Sequence, residues 1–361
     1  MKSCYFYLKP SDNPPNPEEI RKTLVEGSVE EKAKILKEFI KCLVNDDTYP
    51  PMIMVIITNI IPLLPSNPEL RKVMLLYWEV IEKSKSPNDP TLKDEMFLAC
   101  NSLRVDLLSH NEYLRGRTLR LVSRIMHKGV IEPLSSAITE NITHKSAYVR
   151  RNTVVCLYNV FCNFGSDIIG DIDEEIEEML KTETDLSTKR NAFILLFKSN
   201  PAKAMEFLQN QVSNESLEDI GDILQLAILK VLKQKAREEP GQKAKILKII
   251  NSFTFKASES VLLECSITSL AISNSVLSIK TALAAYVSIL ARTNELNVKK
   301  IVLDKLETAC RNSNYIEESL VEDLIKNLRT PSNEIKIKIL NIVSMNLNPK
   351  ISELVLRELK K

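Results

Sequence analysis

Three segments between Asn111 and Phe197 share one pattern, a short polar turn, a basic residue or pair, and an apolar helical stripe. They read NEYLRGRTLRLVSRI, SAYVRRNTVVCLYNVF and TKRNAFILLF. Their basic residues Arg115, Arg150 and Lys189 are 35 and 39 positions apart. A helical unit that recurs at this interval is a helix-pair repeat, and such repeats stack into a solenoid. The pattern therefore favours a long binding surface over a catalytic pocket.

The same interval continues on both sides of these segments. Four more basic residues mark it: Lys32, Arg71, Lys299 and Lys336. Two less distinct repeat starts lie near Gln225 and Leu262. About nine repeats result, with no break long enough to be a linker. We expect each basic residue to begin the first helix of its pair. There it can bond carbonyls or acids of the neighbouring repeat, forming a ladder along the stack.

Composition favours the same fold. Only 7 of the 361 residues are Gly, although parallel α/β enzymes need glycine in phosphate loops and tight turns. Most apolar runs have helical spacing. The sequence thus predicts an all-α protein, a HEAT- or armadillo-like α-solenoid of antiparallel helix pairs in a curved superhelix. We expect one solenoid over residues 17–361, preceded by a disordered, proline-containing lead-in over residues 1–16.

Charge and cysteine usage narrow the class of protein. The 49 basic and 47 acidic residues give a net charge of +2, which does not favour nucleic-acid binding, since that needs a concentrated basic face. The seven cysteines form no CxxC pair and match no zinc spacing, so we expect reduced, mostly buried thiols in the cytosol. We predict no cofactor site, no metal site and no enzyme activity, because no catalytic motif is present.

The most apolar segment is Pro51–Pro65, which reads PMIMVIITNIIPLLP. It is shorter than the roughly 20 residues needed to cross a bilayer. We interpret it as the buried second helix of an early repeat. Any membrane association is then expected to be peripheral and to depend on partners.

Several motifs carry a resemblance to a known family. Glu95–Val122 resembles the trunk of coat adaptors, in which a helix is followed by a turn that ends in Arg-Gly. His144–Phe164, with its YVRRN motif, is similar to the beta subunits of coatomer, the COPI vesicle coat. KRNAF within Asp185–Phe197 and GDILQL within Gly221–Leu232 are similar to the next stretches of that family. The resemblance covers nearly the whole chain, although family members are much longer and continue beyond the trunk.

The resemblance implies a structural coat subunit, recruited to Golgi membranes by a GTP-bound Arf-family GTPase for retrograde Golgi-to-ER and intra-Golgi transport. The implied partners are the delta, gamma, alpha, beta-prime, epsilon and zeta subunits of coatomer. The implied location is the cytoplasm and the cytosolic face of Golgi membranes and COPI-coated vesicles. The repeat alone leaves two other scaffolds open. A nuclear-transport receptor would have a lower pI than the value of about 8.0 found here, and a phosphatase scaffold would have more uniform repeats.

The resemblance also implies where the GTPase binds. In related trunks it docks on an early helix, which corresponds here to Leu92–Asp106. The implied contact residues follow an i, i+3, i+4, i+7 stripe: Phe97, Cys100, Asn101 and Arg104. The alternative is that Phe97 and Cys100 pack in the core.

Overall fold

The computed structural model describes residues 14–45, 49–86, 89–125, 127–213, 220–254, 257–313, 318–329, 332–345 and 349–359. These residues are helical apart from their loops and one short β-hairpin, which confirms the all-α prediction. The expected disordered lead-in lies outside the described residues, except for residues 14–16, which precede the first helix.

The chain forms two compact units, Met1–Asn200 and Pro201–Lys361. The expectation of a single solenoid over residues 17–361 stays a prediction. The described elements of the first unit are α1 Pro17–Glu26, α2 Val29–Asn45, α3 Ile53–Asn59, α4 Pro68–Val80, β1 Ser84–Ser86, β2 Asp89–Leu92, α5 Met96–Leu107, α6 Glu112–Val122, α7 Lys128–Ile131, α8 Ser135–Thr139, α9 Ala147–Phe164, α10 Ser166–Ile169, α11 Asp173–Thr182 and α12 Leu186–Ser199, with 3-10 turns at Ile61–Ser66, Glu132–Leu134 and Glu140–Thr143.

The described residues of the second unit form helices joined by short loops. Its elements are α13 Pro201–Ser213, α14 Asp222–Glu238, α15 Lys243–Phe253, α16 Glu259–Ile272, α17 Val276–Arg292, α18 Leu296–Ser313, α19 Glu318–Lys326, α20 Asn333–Ser344 and α21 Pro349–Leu359, with 3-10 turns at Pro240–Gln242 and Asn327–Arg329.

Successive helices pack as pairs, and the pairs stack in two layers. In the first unit α1, α3, α5 and α8 contact one another in succession, while α2, α4, α6, α9 and α12 form the second-helix layer. In the second unit α17, α19 and α21 stack in the same way, as do α18 and α20. Each helix buries one stripe between the layers, as in α2, whose Leu36, Phe39 and Ile40 are fully or almost fully buried.

The interval found in the sequence marks one position in every pair. The fourth residue of α2, α4, α6, α9, α12, α14, α16, α18 and α20 is, in turn, Lys32, Arg71, Arg115, Arg150, Lys189, Gln225, Leu262, Lys299 and Lys336. The backbone N–H of this fourth residue donates to the carbonyl four residues earlier. That earlier residue is Ser, Asn, Asp or Gly before every one of these helices except α18, where it is Glu295. These residue types favour a helix N-terminus. The interval therefore reports where each second helix begins, and the expected placement on the first helix was wrong.

The expected ladder is present at two steps. Arg115 donates to Oδ1 of Asn141 in the next pair at 2.9 Å, and Arg150 forms an ion pair with Glu183 of the next pair at 2.6 Å. Lys32 instead donates to the carbonyl of Val25 in its own pair at 3.2 Å. The ladder thus continues only where a polar side chain of the next repeat comes within reach.

The apolar segment Pro51–Pro65 differs from its prediction. It forms α3 and the following 3-10 turn, which together are the first element of the second pair. Pro62 and Pro65 lack an N–H and end the α-helix early. The segment is only partly buried, because Met54 is exposed while Ile53 and Ile56 face the core.

Candidate partner-binding surface

The β-hairpin fixes where α5 begins. Strands β1 and β2 pair Ser84 with Leu92, and the backbone N–H of Lys93 continues the hairpin by donating to the carbonyl of Lys83 at 3.0 Å. The side chain of Lys93 also donates to the carbonyl of Glu82 at 2.8 Å. Leu92 therefore belongs to a strand, and the helix runs over Met96–Leu107. The predicted span Leu92–Asp106 was wrong at its start, because hairpin bonds occupy the preceding backbone.

Cys100 is on the core side of α5. It follows Met96 and precedes Leu103 and Leu107 on one stripe, and all four side chains are buried. Burial raises the pKa of the Cys100 thiol to about 11, so the thiol is neutral and unreactive near pH 7. The prediction that Cys100 lies on the contact face is corrected, because Cys100 lies at i+4 from Met96 and at i−3 from Leu103, on the stripe that packs into the core.

The outer side of α5 presents Phe97, Asn101 and Arg104 to solvent, as the stripe predicted for these three residues requires. Phe97 is 57% exposed and is the one exposed phenylalanine among the described residues. Sequence reasoning missed Leu98 and Val105, which are 50% and 63% exposed. Their i, i+7 spacing is visible in the sequence, but both residues lie beside the predicted stripe rather than on it. We refer to these five residues as the α5 face.

A groove of about 570 Å³ adjoins the start of the α5 face. It is lined by Pro51–Val55 of the α3 region, by Lys85 of the hairpin and by Lys93–Glu95. Lys85 and Asp94 form an ion pair at 3.1 Å across its rim. The groove thus combines apolar residues of the α3 region with four charged residues of the hairpin and of the turn before α5. Mixed apolar and charged linings of this kind occur at protein interfaces.

The electrostatics of the α5 face are simple. The guanidinium of Arg104 is exposed, and no described side chain forms an ion pair with it. Asp106 lies beside the face and is half-buried; burial raises the pKa of its carboxyl, an effect partly offset by the Arg71 guanidinium. The face therefore combines an apolar surface with one fixed positive charge. Such a combination is typical of surfaces that contact other proteins, and the five side chains offer no nucleophile or general base.

Neither a metal centre nor a membrane span is found in the part of the chain that the structure describes. No group of three or more His, Cys, Asp or Glu residues there could hold a metal ion. No described helix is both long and apolar enough to cross a bilayer. Of the six described cysteines, all but Cys162 are buried.

The sequence is similar to known coat proteins. A family model described as the adaptin N-terminal region matches residues 12–361. Coatomer subunit beta of Toxoplasma gondii is 37% identical, covering 100% of this chain and 33% of the relative. The Dictyostelium discoideum protein of that name is 36% identical, with coverage of 95% and 37%, and the Rattus norvegicus one is 32% identical, with 94% and 35%. The chain therefore spans about a third of the length of these relatives.

A solved-structure comparison supports the fold. A chain in a homology model of the full-length AP-3 complex, in an intermediate open conformation, matches with a TM-score of 0.52 and 15% identity. The match covers 96% of this chain and 60% of that chain. At this identity it bears on architecture alone. Since the family model spans nearly every residue, the chain belongs to the adaptin N-terminal-region family.

Proposed function

We propose that the chain is a structural part of a COPI-type vesicle coat, corresponding to the amino-terminal trunk of a coatomer beta subunit. The observation that carries this proposal is the similarity to coatomer subunit beta over 94–100% of the chain in three distant organisms. The stacked helix pairs supply the rest of the argument. A solenoid buries a continuous core and leaves long outer surfaces free for protein contacts.

In this role the chain acts without catalysis. Its partners are the other coatomer subunits, named above, and an Arf-family GTPase in its GTP form. It works on the cytosolic face of Golgi membranes and COPI vesicles, in retrograde Golgi-to-ER and intra-Golgi transport. Membrane attachment then comes through partners.

The α5 face is the proposed GTPase contact, through Phe97, Asn101 and Arg104 together with Leu98 and Val105. A partner that covers Phe97 would remove a large aromatic side chain from water, the kind of contact that dominates binding energy at interfaces. Cys100 is excluded from direct contact because its side chain is buried. It supports the face from beneath by filling the core side of the same helix.

The two alternatives give different partners. A nuclear-transport receptor would bind the GTPase Ran, and a phosphatase scaffold would bind a phosphatase catalytic subunit. The similarity to coatomer beta subunits favours the coat proposal over both.

Localisation tests the proposal in cells. The protein that contains this chain, tagged at its own locus, should colocalise with a Golgi marker. It should disperse into the cytoplasm within minutes when Arf GTP loading is blocked, since attachment requires the GTP form. Localisation at the nuclear envelope, or Golgi localisation unaffected by the block, would contradict the proposal.

A further inference from the structure

A second surface lies on the opposite layer of the first unit, in a groove between α4 and α6. We propose that this groove binds an acidic peptide segment that carries an aliphatic side chain. We call it the α4–α6 groove; its volume is about 240 Å³, and its lining is Lys72, Leu75, Leu76, Glu79, Arg117, Arg120, Leu121 and Arg124. The inference does not depend on the coat proposal, because it uses residues and a helix layer that the α5 face does not share.

The groove contains cations that form no ion pair within the described part of the chain. Lys72, Arg117 and Arg120 line it, and no described residue forms an ion pair or a side-chain hydrogen bond with any of the three. Only Arg124, at one end, is paired, because its Nη1 donates to both carboxylate oxygens of Glu79, at 3.0 and 3.1 Å. Lys72 is also within electrostatic reach of Glu69 on its own helix. The two arginines are therefore the main groups that attract carboxylates, and a guanidinium binds a carboxylate in a forked geometry.

The floor of the groove is apolar. Leu76 is 48% exposed, whereas Leu121 is buried and Leu75 is half-buried. An exposed leucine inside a concave, cationic groove leaves apolar area that an aliphatic side chain would cover. A peptide with carboxylates on both sides of a leucine or isoleucine therefore matches both the rim and the floor.

The wider helix layer supports the same charge preference. Helices α9 and α12 contain Arg or Lys but no Asp or Glu, and α6 contains three Arg and one Glu. Helix α11, by contrast, holds Asp173 and four Glu residues. The net charge of +2 for the whole sequence therefore does not describe the charge of individual helices. Within this layer Arg150 and Arg151 of α9 are paired with Glu183 and Asp185, and the cations of α4 are balanced by Glu69 and Glu79. The positive charge that meets an acidic chain at the groove is therefore mainly that of the α6 arginines.

The shape of the groove favours a peptide over a lipid surface. A bilayer is broad and would meet the ends of long basic side chains, but it would not reach a floor between two helices. An extended peptide is narrow enough to place side chains between α4 and α6. Binding through both rim and floor predicts that affinity needs the acidic residues and the aliphatic residue together.

The probe for this site is a fluorescein-labelled acidic peptide of about twelve residues with two central leucines. Binding is measured by fluorescence anisotropy with the purified chain. Two companion peptides replace either the acidic residues by glutamine or the leucines by glycine. Each replacement should weaken binding about tenfold or more, and added salt should weaken binding of the parent peptide because part of the attraction is screened.

The protein variants separate the groove from general charge. Arg117→Gln/Arg120→Gln and, separately, Leu76→Ser should each reduce affinity for the acidic peptide about tenfold. The control Lys128→Gln/Lys181→Gln removes the same charge from exposed residues outside this layer and should leave affinity within about twofold. Thermal melts of all variants should stay close to that of the parent, since the altered side chains are exposed or half-buried.

Three results would overturn the inference. Equal loss of peptide binding in the control pair would show a non-specific charge effect. Peptide binding that survives both groove variants would place the site elsewhere. The third result is that the peptide does not bind at all, whereas phosphatidylserine vesicles bind the parent chain and not the Arg117→Gln/Arg120→Gln variant. The groove would then be a membrane contact.

Discussion

Arg150 holds Glu183 through two parallel hydrogen bonds, from Nε to Oε2 at 2.6 Å and from Nη2 to Oε1 at 2.8 Å. The pair connects α9 to the loop between α11 and α12, and the Glu183 side chain is only 1% exposed. Oε1 of Glu183 also accepts the backbone N–H groups of Thr184 and Asp185, both at 2.9 Å. One carboxylate thus organises the loop that leads into the next second helix.

Replacing Arg150 with methionine should destabilise the first unit by about 3–5 kcal/mol, because Glu183 is left buried without its counter-ion. The double variant Arg150→Met/Glu183→Gln should recover much of this loss. Chemical denaturation measures both. The matched control is Lys37→Met, whose pair with Glu69 is exposed at 48% and 72% and should cost at most about 1 kcal/mol. Equal losses in the two single variants would show that burial of the Arg150 pair is unimportant.

The same pair predicts a dependence of stability on pH. Burial alone would raise the pKa of Glu183, but hydrogen bonds from Arg150 and from the loop backbone outweigh it and hold the pKa below its usual value. Because its pKa is lowered in the folded state, the ionised Glu183 carboxylate stabilises the fold fully at pH values above its unfolded-state pKa of about 4.3. This contribution is lost as the pH falls through the folded-state pKa. The difference in free energy of unfolding between the parent and Glu183→Gln should therefore shrink as pH falls from 7 toward 3. A constant difference would contradict the assignment.

Gly116 is predicted to be required for the packing of α6 against α9. A β-carbon at this position would overlap the ring of Tyr148, and that ring is also packed against Tyr113, with centroids 5.8 Å apart. Gly116→Ala should therefore cost about 1–3 kcal/mol, although alanine is the better helix former. Combining it with Tyr148→Ala should cost less than the sum of the single changes. Additive losses would mean that the two residues do not meet.

Phe97→Asp is predicted to weaken binding of GTP-loaded Arf at least tenfold, or about 1.4 kcal/mol, without a large change in melting temperature. A charge would then stand in the centre of the α5 face, where the aromatic ring is 57% exposed. Ile337→Asp is the matched control, because Ile337 is 58% exposed on α20. GDP-loaded Arf should bind weakly to all three proteins. Unchanged binding in folded Phe97→Asp would remove α5 from the interface.

The periodic part of the fold was predictable from the sequence because nearly every second helix starts with a local signal. A residue suited to capping stands four positions before Lys32, Arg115 and Lys189, and all three then occupy the same helical position. The assignment to first or second helix was not predictable in this way. It depends on which neighbouring helix packs against the stripe, a tertiary contact that interval alone does not encode.

The candidate site was predictable in part. Phe97, Asn101 and Arg104 are exposed as expected, but Cys100 is not, because it belongs to the neighbouring stripe of Met96, Leu103 and Leu107, which packs into the core. The hairpin before α5 was missed since its strands are only three and four residues long. The α4–α6 groove was missed because its residues come from two helices that are separated in sequence.

The central claim, that the chain is part of a vesicle coat, is tested most directly by identifying its stable partners. The full protein that contains this chain should be tagged at its own locus, purified from cytosol and analysed by quantitative mass spectrometry. We expect the other coatomer subunits in near-equal amounts to the tagged protein. Recovery of Ran with nuclear cargo, or of a phosphatase catalytic subunit, without coatomer subunits would contradict the account.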